Sequence, residues 1–183
     1  MNTNATSSFS ENDIKKILFA SSEAVPFAQS GALADVAGAL PKALAANGHD
    51  VRLVLPGYST ISRSGLNLEK VLSPMGVAMG DRTVWCEVFS TRLDGVTVYF
   101  IEHRNFFDRP GLYDDGRWEY RDNAQRFAFF SKACLQACLD TGFRPDIVHC
   151  NDWQTALIPA YLKTWFRDEA FFSGTASLLS IHN

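Results

Sequence analysis

The feature that most constrains the fold is an alternation of two periodicities near the start of the chain. Lys16 to Ser21 holds a short apolar run (Ile17, Leu18, Phe19, Ala20), and a turn rich in small residues follows. From Gly31 to Asn47 the apolar positions Leu33, Val36, Ala37, Leu40 and Leu44 keep helical spacing, and Val51 to Leu55 is again a strand-like run. Strand, helix and strand in that order predict a βαβ unit with parallel pairing and a right-handed crossover. Pro41 should kink the helix because it removes a donor and crowds the preceding turn. Gly48 suits a left-handed cap.

The next stretch reads differently. Val77 to Met79, Val84 to Phe89 and Val96 to Ile101 are strand-like, and Gly80-Asp81 and Asp94-Gly95 mark turns, which predicts a β-meander inserted in the fold. Asn105 to Glu119 is an irregular loop with aromatic and acidic residues, long enough to expect a function. A second helix starts at Asp122, with Gln125 three residues on as in a capping box, and closes at Gly142. Ile147 to Cys150 is a strand, Asn151 or Asp152 caps a helix to about Phe166, and Ser177 to Ile181 is expected to be a buried final strand. The fold class is therefore α/β, with a mostly parallel sheet.

Composition excludes more than it selects. The 183 residues carry a net charge of −3 with scattered basic residues, which gives no case for nucleic acid or an acidic membrane surface. No apolar run approaches the roughly 20 residues of a membrane span. Residues 1–13 are polar and lack an export pattern, so a disordered tail is expected. Cys86, Cys134, Cys138 and Cys150 form no Cys-x-x-Cys pair. Cys134 and Cys138 share a helical face and read as buried thiols, so the expected setting is reducing and cytoplasmic, with no metal or cofactor. Aromatic residues reach 13%, which fits either a thick core or surfaces that stack on sugars.

In open parallel sheets ligands bind beyond the carboxyl ends of the strands. Ser21 to Leu33, His149 to Trp153, and His182-Asn183 all fall there. Ser30, Gly31 and Ala32 would start a helix, where free amides favour a phosphate; equally, the small residues would let the helix pack on its strand. Asp152 is either a cleft residue or a helix cap. Tyr113 and Tyr120 are either core or aromatic faces free to stack on a ring.

Several segments in order resemble the ADP-glucose-using glycogen and starch synthases. These are Ser22-Glu23, Val25-Pro26, Gln29-Ser30-Gly31-Ala32-Leu33-Ala34-Asp35-Val36, Gly38-Ala39-Leu40-Pro41 and Val54-Leu55-Pro56-Gly57-Tyr58. Tyr120-x-Asp122-Asn123-x-x-Arg126-Phe127, Pro145 to Trp153, and Ile181-His182-Asn183 continue the likeness to the last residue. The resemblance implies the N-terminal, acceptor-side Rossmann-like domain of a GT-B glycosyltransferase over residues 14–183, without the nucleotide-binding C-terminal domain. It implies glucose transfer from ADP-glucose to an α-1,4-glucan with retention. His182 and Asp35 would be the catalytic positions, with Gln29, Ser30, Gly31, Ala32, Glu23, Asp152, Trp153 and Asn183 binding substrate, and Tyr113 and Tyr120 either holding the acceptor glucan or packing in the core. Gln29 replaces the family's lysine and Ala32 its second glycine. Glutamine keeps a donor but brings no charge, so the donor's phosphates would be held more weakly. The chain alone is expected to be inactive. The alternatives are a short form that binds glucan or a partner without catalysis, and another GT-B enzyme related to sucrose- or trehalose-phosphate synthases.

Overall fold

The computed structural model describes residues 14–182. The elements run β1 (Lys16–Ala20), α1 (Ala32–Ala46), β2 (Asp50–Pro56), β3 (Glu69–Met79), β4 (Arg82–Leu93), β5 (Val96–Glu102), α2 (Arg104–Phe107), α3 (Asn123–Thr141), β6 (Ile147–Asn151), α4 (Leu157–Lys163) and β7 (Ala176–Ser180). The expected tail over 1–13 and the role given to Asn183 fall outside the described residues.

All seven strands form one sheet in the order β3-β4-β5-β2-β1-β6-β7. β5, β2, β1, β6 and β7 are parallel neighbours, while β4 runs antiparallel to both β3 and β5. The α/β reading with a mostly parallel sheet holds. The meander is present, but it is an extension of the sheet rather than an insertion beside it. Its last strand returns parallel to β2, pairing Arg52 with Thr97 through Pro56 with Ile101. After β2 the chain runs out to the edge at β3 and builds back inward through β4 to β5, beside β2; after β5 it crosses to the other side of β1. The strand order therefore reverses between β1 and β6, and the crevice such a reversal opens is where open α/β sheets hold ligands.

Burial explains why these segments are strands. Leu18, Phe19, Ala20, Val54, Leu55, Ile101, Val148 and Cys150 are all inaccessible or nearly so, because the central strands are covered on both faces. Helix α3 supplies a slab of phenylalanines, Phe127, Phe129 and Phe130, which pack with Phe106 and Phe107. The four cysteines are free and buried, as the shared helical face predicted for Cys134 and Cys138, and burial raises all four thiols. Gly142 closes α3 in the left-handed conformation at φ 71°, and Gly48 follows α1 at φ 96°. Helix α1 continues through Pro41.

Three local expectations fail. Asp122 makes no capping hydrogen bond to α3; its carboxylate instead takes both Nη1 and Nη2 of Arg109 at 2.8 and 2.6 Å, so the Asp122–Gln125 capping box does not form. A bidentate guanidinium pair outweighs one bond to a backbone amide. The helix after β6 is not continuous: a 3-10 turn over Trp153–Thr155 leads into α4, which ends at Lys163. Finally β7 is not buried. Among the described residues it borders β6 alone, and it exposes Leu178 and Leu179.

Candidate functional site

β1 delivers four fully or nearly buried residues at its end, Ser21, Ser22, Glu23 and Ala24. Ser21 extends the ladder through its amide to Val54 O at 3.1 Å, and its hydroxyl donates to Glu23 O at 2.7 Å. The chain then folds back, with Ala24 and Ala28 exchanging backbone bonds at 3.0 Å, which carries Gln29 to Gly31 back over the end of β1. Gly38 in α1 permits this return, since a Cβ there would lie 2.3 Å from Val25 Cγ2.

Glu23 is the hub. Its carboxylate accepts Ser30 N at 2.5 Å, Ser30 Oγ at 2.9 Å, Gly31 N at 3.1 Å and Tyr113 Oη at 2.9 Å. The Ser30 and Gly31 amides, which the sequence offered either to a phosphate or to close packing of the helix, are bonded here to an internal anion. Glu23 does for the start of α1 what a bound anion would do. Gly31 is extended (φ −153°, ψ −167°) with open space at its Cβ, and Ala32 is the first helical residue, so alanine there carries no backbone strain. Gln29 is exposed and donates to Asp35 Oδ1 at 3.4 Å.

Tyr113 comes from the long loop, and its hydroxyl also meets Ser22 Oγ at 2.7 Å. Burial pushes its phenol well above the usual range. Its ring faces Phe127 and Trp153, with centroids 5.8 and 6.3 Å away. Sequence reasoning missed what holds this loop in place. Arg126, fully buried, donates from Nε to Phe106 O at 2.7 Å, and from Nη1 to Leu112 O at 3.0 Å and Asn123 Oδ1 at 2.7 Å. Tyr120 belongs to that scaffold: the guanidinium carbons of Arg109 and Arg126 lie 4.7 and 4.9 Å from its ring centre, and its hydroxyl accepts Gly111 N at 3.3 Å. It packs rather than presenting a free face. The available signal was the spacing of Tyr120, Asp122, Asn123 and Arg126, but a buried arginine bonded to carbonyls has no pattern of its own.

Across the switch point, β6 ends in a tightly tied corner. Asn151 Nδ2 donates to Ala20 O at 3.1 Å and His149 O at 3.4 Å, while Thr155 Oγ1 accepts Asn151 N at 2.6 Å. Asp152 sits at φ 58° and ψ −175°, a conformation that costs a side-chain-bearing residue on the order of 1–3 kcal/mol. Asp152 is not a side-chain helix cap: Oδ1 accepts His182 N at 2.5 Å, and its own amide donates to Ser180 O at 2.9 Å. His182 Nε2 lies 3.1 Å from Asn151 Oδ1. Because the Asn151 amide nitrogen already donates to two carbonyls, Oδ1 must accept. Nε2 therefore carries a proton and donates it to this bond. Trp153 stands beside this corner, its ring 5.1 Å from Phe127 and about half exposed.

The structure thus gathers Glu23, Ser30, Gly31, Tyr113, Trp153, Asp152 and His182 around the β1/β6 end of the sheet. Gln29 and Ser30 line a cleft of 430 Å³ with Pro110, Leu112, Tyr113 and Asp114. Ala32 and Asp35 lie at the start of α1, and no bond joins Asp35 to His182 among the described residues. No group of three or more His, Cys, Asp or Glu residues could hold a metal among those residues. None of the described helices is long and apolar enough to cross a membrane.

Fold and site define a Rossmann-like α/β domain with a polar, hydrogen-bonded crevice at its topological switch point. Residues 16–183 match the family model described as the starch synthase catalytic domain, and the chain belongs to that family. It is 46% identical over 167 residues to a glycogen synthase of Syntrophotalea carbinolica, covering 91% of this chain and 34% of the relative. It is also 46% identical over 168 residues to one of Geotalea daltonii, covering 92% and 35%. The catalytic domain of starch synthase IV from Arabidopsis thaliana, bound to ADP and acarbose, superposes with a TM-score of 0.82 at 29% identity, covering 93% of this chain and 34% of that one. The chain spans about a third of the length of the relatives it matches.

Proposed function

We propose that this chain forms the acceptor-side part of a glucosyltransferase that moves glucose from ADP-glucose to the non-reducing end of an α-1,4-glucan, with retention of configuration and in a cytoplasmic setting. The observation that carries the reading is the convergence at one switch point of Tyr113, held by Glu23, with Asp152 and His182, and with the Trp153 ring beside them. Carboxylates and phenols suit sugar hydroxyls, and an aromatic face suits the apolar face of a pyranose.

In this reading His182 lies against the transferred glucose, and Asp35 and Asp152 orient sugar hydroxyls. Stabilising the separating charges is electrostatic work, done by groups already fixed in place. The corner at Asp152 and the Glu23 hub supply that rigidity. Gln29 stands where a lysine would contact the donor phosphates and offers a neutral donor there, so donor binding is weak. Turnover then needs polypeptide equivalent to the remainder of the relatives' length.

The test is transfer of labelled glucose from ADP-glucose to maltoheptaose, by this chain alone and by this chain joined to the equivalent remainder of a relative. Activity only in the joined protein is expected, with Gln29→Lys raising ADP-glucose affinity about tenfold through one charge-assisted contact. Transfer by the chain alone would overturn the division of labour. The Gln29 observation favours a second reading, a glucan-binding form without catalysis. Maltoheptaose binding with no transfer by the joined Gln29→Lys protein would establish that reading instead.

A further inference from the structure

All four tryptophans are more than half exposed, at 60, 78, 54 and 60% for Trp85, Trp118, Trp153 and Trp165, although the phenylalanines of α2 and α3 fill the core. Trp153 belongs to the site already described. Trp85 lies in β4 directly opposite Gly76 of β3, where a Cβ on the glycine would come within 2.9 Å of the indole Cζ3. The six-membered ring therefore covers Gly76 and turns its other face to solvent. Shielding a glycine in a strand pair accounts for the inner face and leaves the outer one unexplained.

That ring borders a groove of 500 Å³, walled by Arg63, Glu87, Glu102, His103 and Asp108. Two of the three carboxylates in the wall are paired. Arg63 Nη2 donates to Glu102 Oε1 at 2.5 Å, and Lys70 Nζ and Ser73 Oγ donate to Glu87 Oε1 at 2.9 and 2.7 Å. With Arg104 and Asp108 also lining it, the wall carries both signs side by side and so favours neither a phosphate nor a cation. It keeps the second carboxylate oxygens and further guanidinium N–H groups for hydroxyls. A flat aromatic face beside paired acids and guanidiniums is matched by a neutral polyol with an apolar face, which is a sugar.

Its position links it to the candidate site. Glu102 ends β5 and Gly57 follows β2, so the groove opens at the same end of the sheet. Residues 57–60 and 104–114 stand between the two. Ser59, Arg104 and Asp108 line the groove, while Thr60, Pro110 and Tyr113 line the cleft beside Gln29. Ser59 N to Phe107 O at 3.1 Å and Ser59 Oγ to Arg109 O at 3.3 Å tie the segments into one partition. We propose that the Trp85 groove is a second carbohydrate subsite, holding an α-glucan chain several sugar units away from the end that reaches Tyr113. The ligand class rests on the glucan reading above; the site rests on the groove itself.

The experiment is titration of this chain, labelled with 15N-tryptophan, with maltoheptaose, following the four indole N–H signals. Shifts at both Trp85 and Trp153 are expected. Trp85→Ala should weaken maltoheptaose binding about tenfold, the size of one aromatic contact, while leaving the spectrum dispersed and the melting transition unchanged. A shift at Trp153 without one at Trp85 overturns the groove and leaves the proposed function standing. A shift at Trp85 alone supports the groove and counts against that function. No shift at either overturns both.

Discussion

The carboxylate of Glu23, at the end of β1, accepts the hydroxyl of Tyr113 at 2.9 Å across a sequence separation of 90 residues. With Ser30 and Gly31 it meets four donors, so the turn after β1, the start of α1 and the long loop share one anion. Glu23→Gln would replace one acceptor oxygen by a donor facing N–H and O–H groups. Its expected cost is about 3 kcal/mol in urea unfolding, the upper range for a bond to a charged group lost inside a protein. Tyr113→Phe removes one bond of the set and should cost about 1 kcal/mol. Equal midpoints for wild type and Glu23→Gln would show that the carboxylate does not hold the three segments together.

Gly38 fixes how closely α1 approaches the turn. A methyl group there would stand 2.3 Å from Val25 Cγ2 and 2.8 Å from Val25 O. Gly38→Ala should therefore destabilise by about 1–3 kcal/mol through overpacking, although alanine is the better helix former. Because Val25 N also donates to Ala34 O at 3.0 Å, the displaced turn would carry Gln29 and Ser30 with it. Maltoheptaose binding measured by calorimetry should weaken in step with stability. Gain of stability in Gly38→Ala would refute the packing argument.

Much of the frame was legible because it rests on local patterns: apolar runs for β1, β2 and β6, helical spacing in α1, and glycines at the ends of helices. What the sequence could not convey were competitions between partners. Asp122 has the composition and position of a helix cap, yet Arg109, thirteen residues earlier, outbids the backbone for it. Ser30 and Gly31 could be read as a phosphate site or as packing, and the bond from the Gly31 amide to Glu23 was not visible, since a carboxylate eight residues upstream becomes a neighbour only when the turn closes. Tyr113 and Tyr120 looked alike in sequence, and the fold separates them: one reaches the crevice and the other packs beside two guanidiniums. Burial of β7 was overestimated because an apolar run does not reveal which strand lies at the sheet edge.

Histidine burial gives stability a pH dependence of definite sign. His149, packed 4.7 Å from Phe19 and bonded to Ser180 Oγ at 2.8 Å, is held below its ordinary 6.5, by burial first and by the charge of His182 second. Burial also lowers His103. In both cases the unfolded chain binds the proton more readily, so stability is fully present above 6.5 and falls as pH drops from 6.5 through the lower folded values. Urea unfolding at a series of pH values should show this decline. His149→Gln, which cannot titrate, should flatten part of it, and a slope unchanged in His149→Gln would assign the effect elsewhere.

Arg126 is the test of how the long loop reaches the crevice. Its guanidinium spans the carbonyls of Phe106 and Leu112 and the side chain of Asn123, and burial makes its charge harder to keep than usual. Arg126→Lys keeps a cation but has one nitrogen in place of a planar fork, so it cannot serve all three acceptors. At least one buried carbonyl is then left without a donor, at an expected cost of about 2–3 kcal/mol. The loss should be concentrated in the loop. Tyr120 N, which donates to Tyr113 O at 2.9 Å, should exchange its hydrogen much faster, whereas Phe19 and Val54 in the central strands should keep their protection. Maltoheptaose affinity should fall with the loss of Tyr113 placement, although Arg126 contacts no ligand. Unchanged exchange at Tyr120 alongside weakened binding would mean that the arginine acts by some route other than holding the loop.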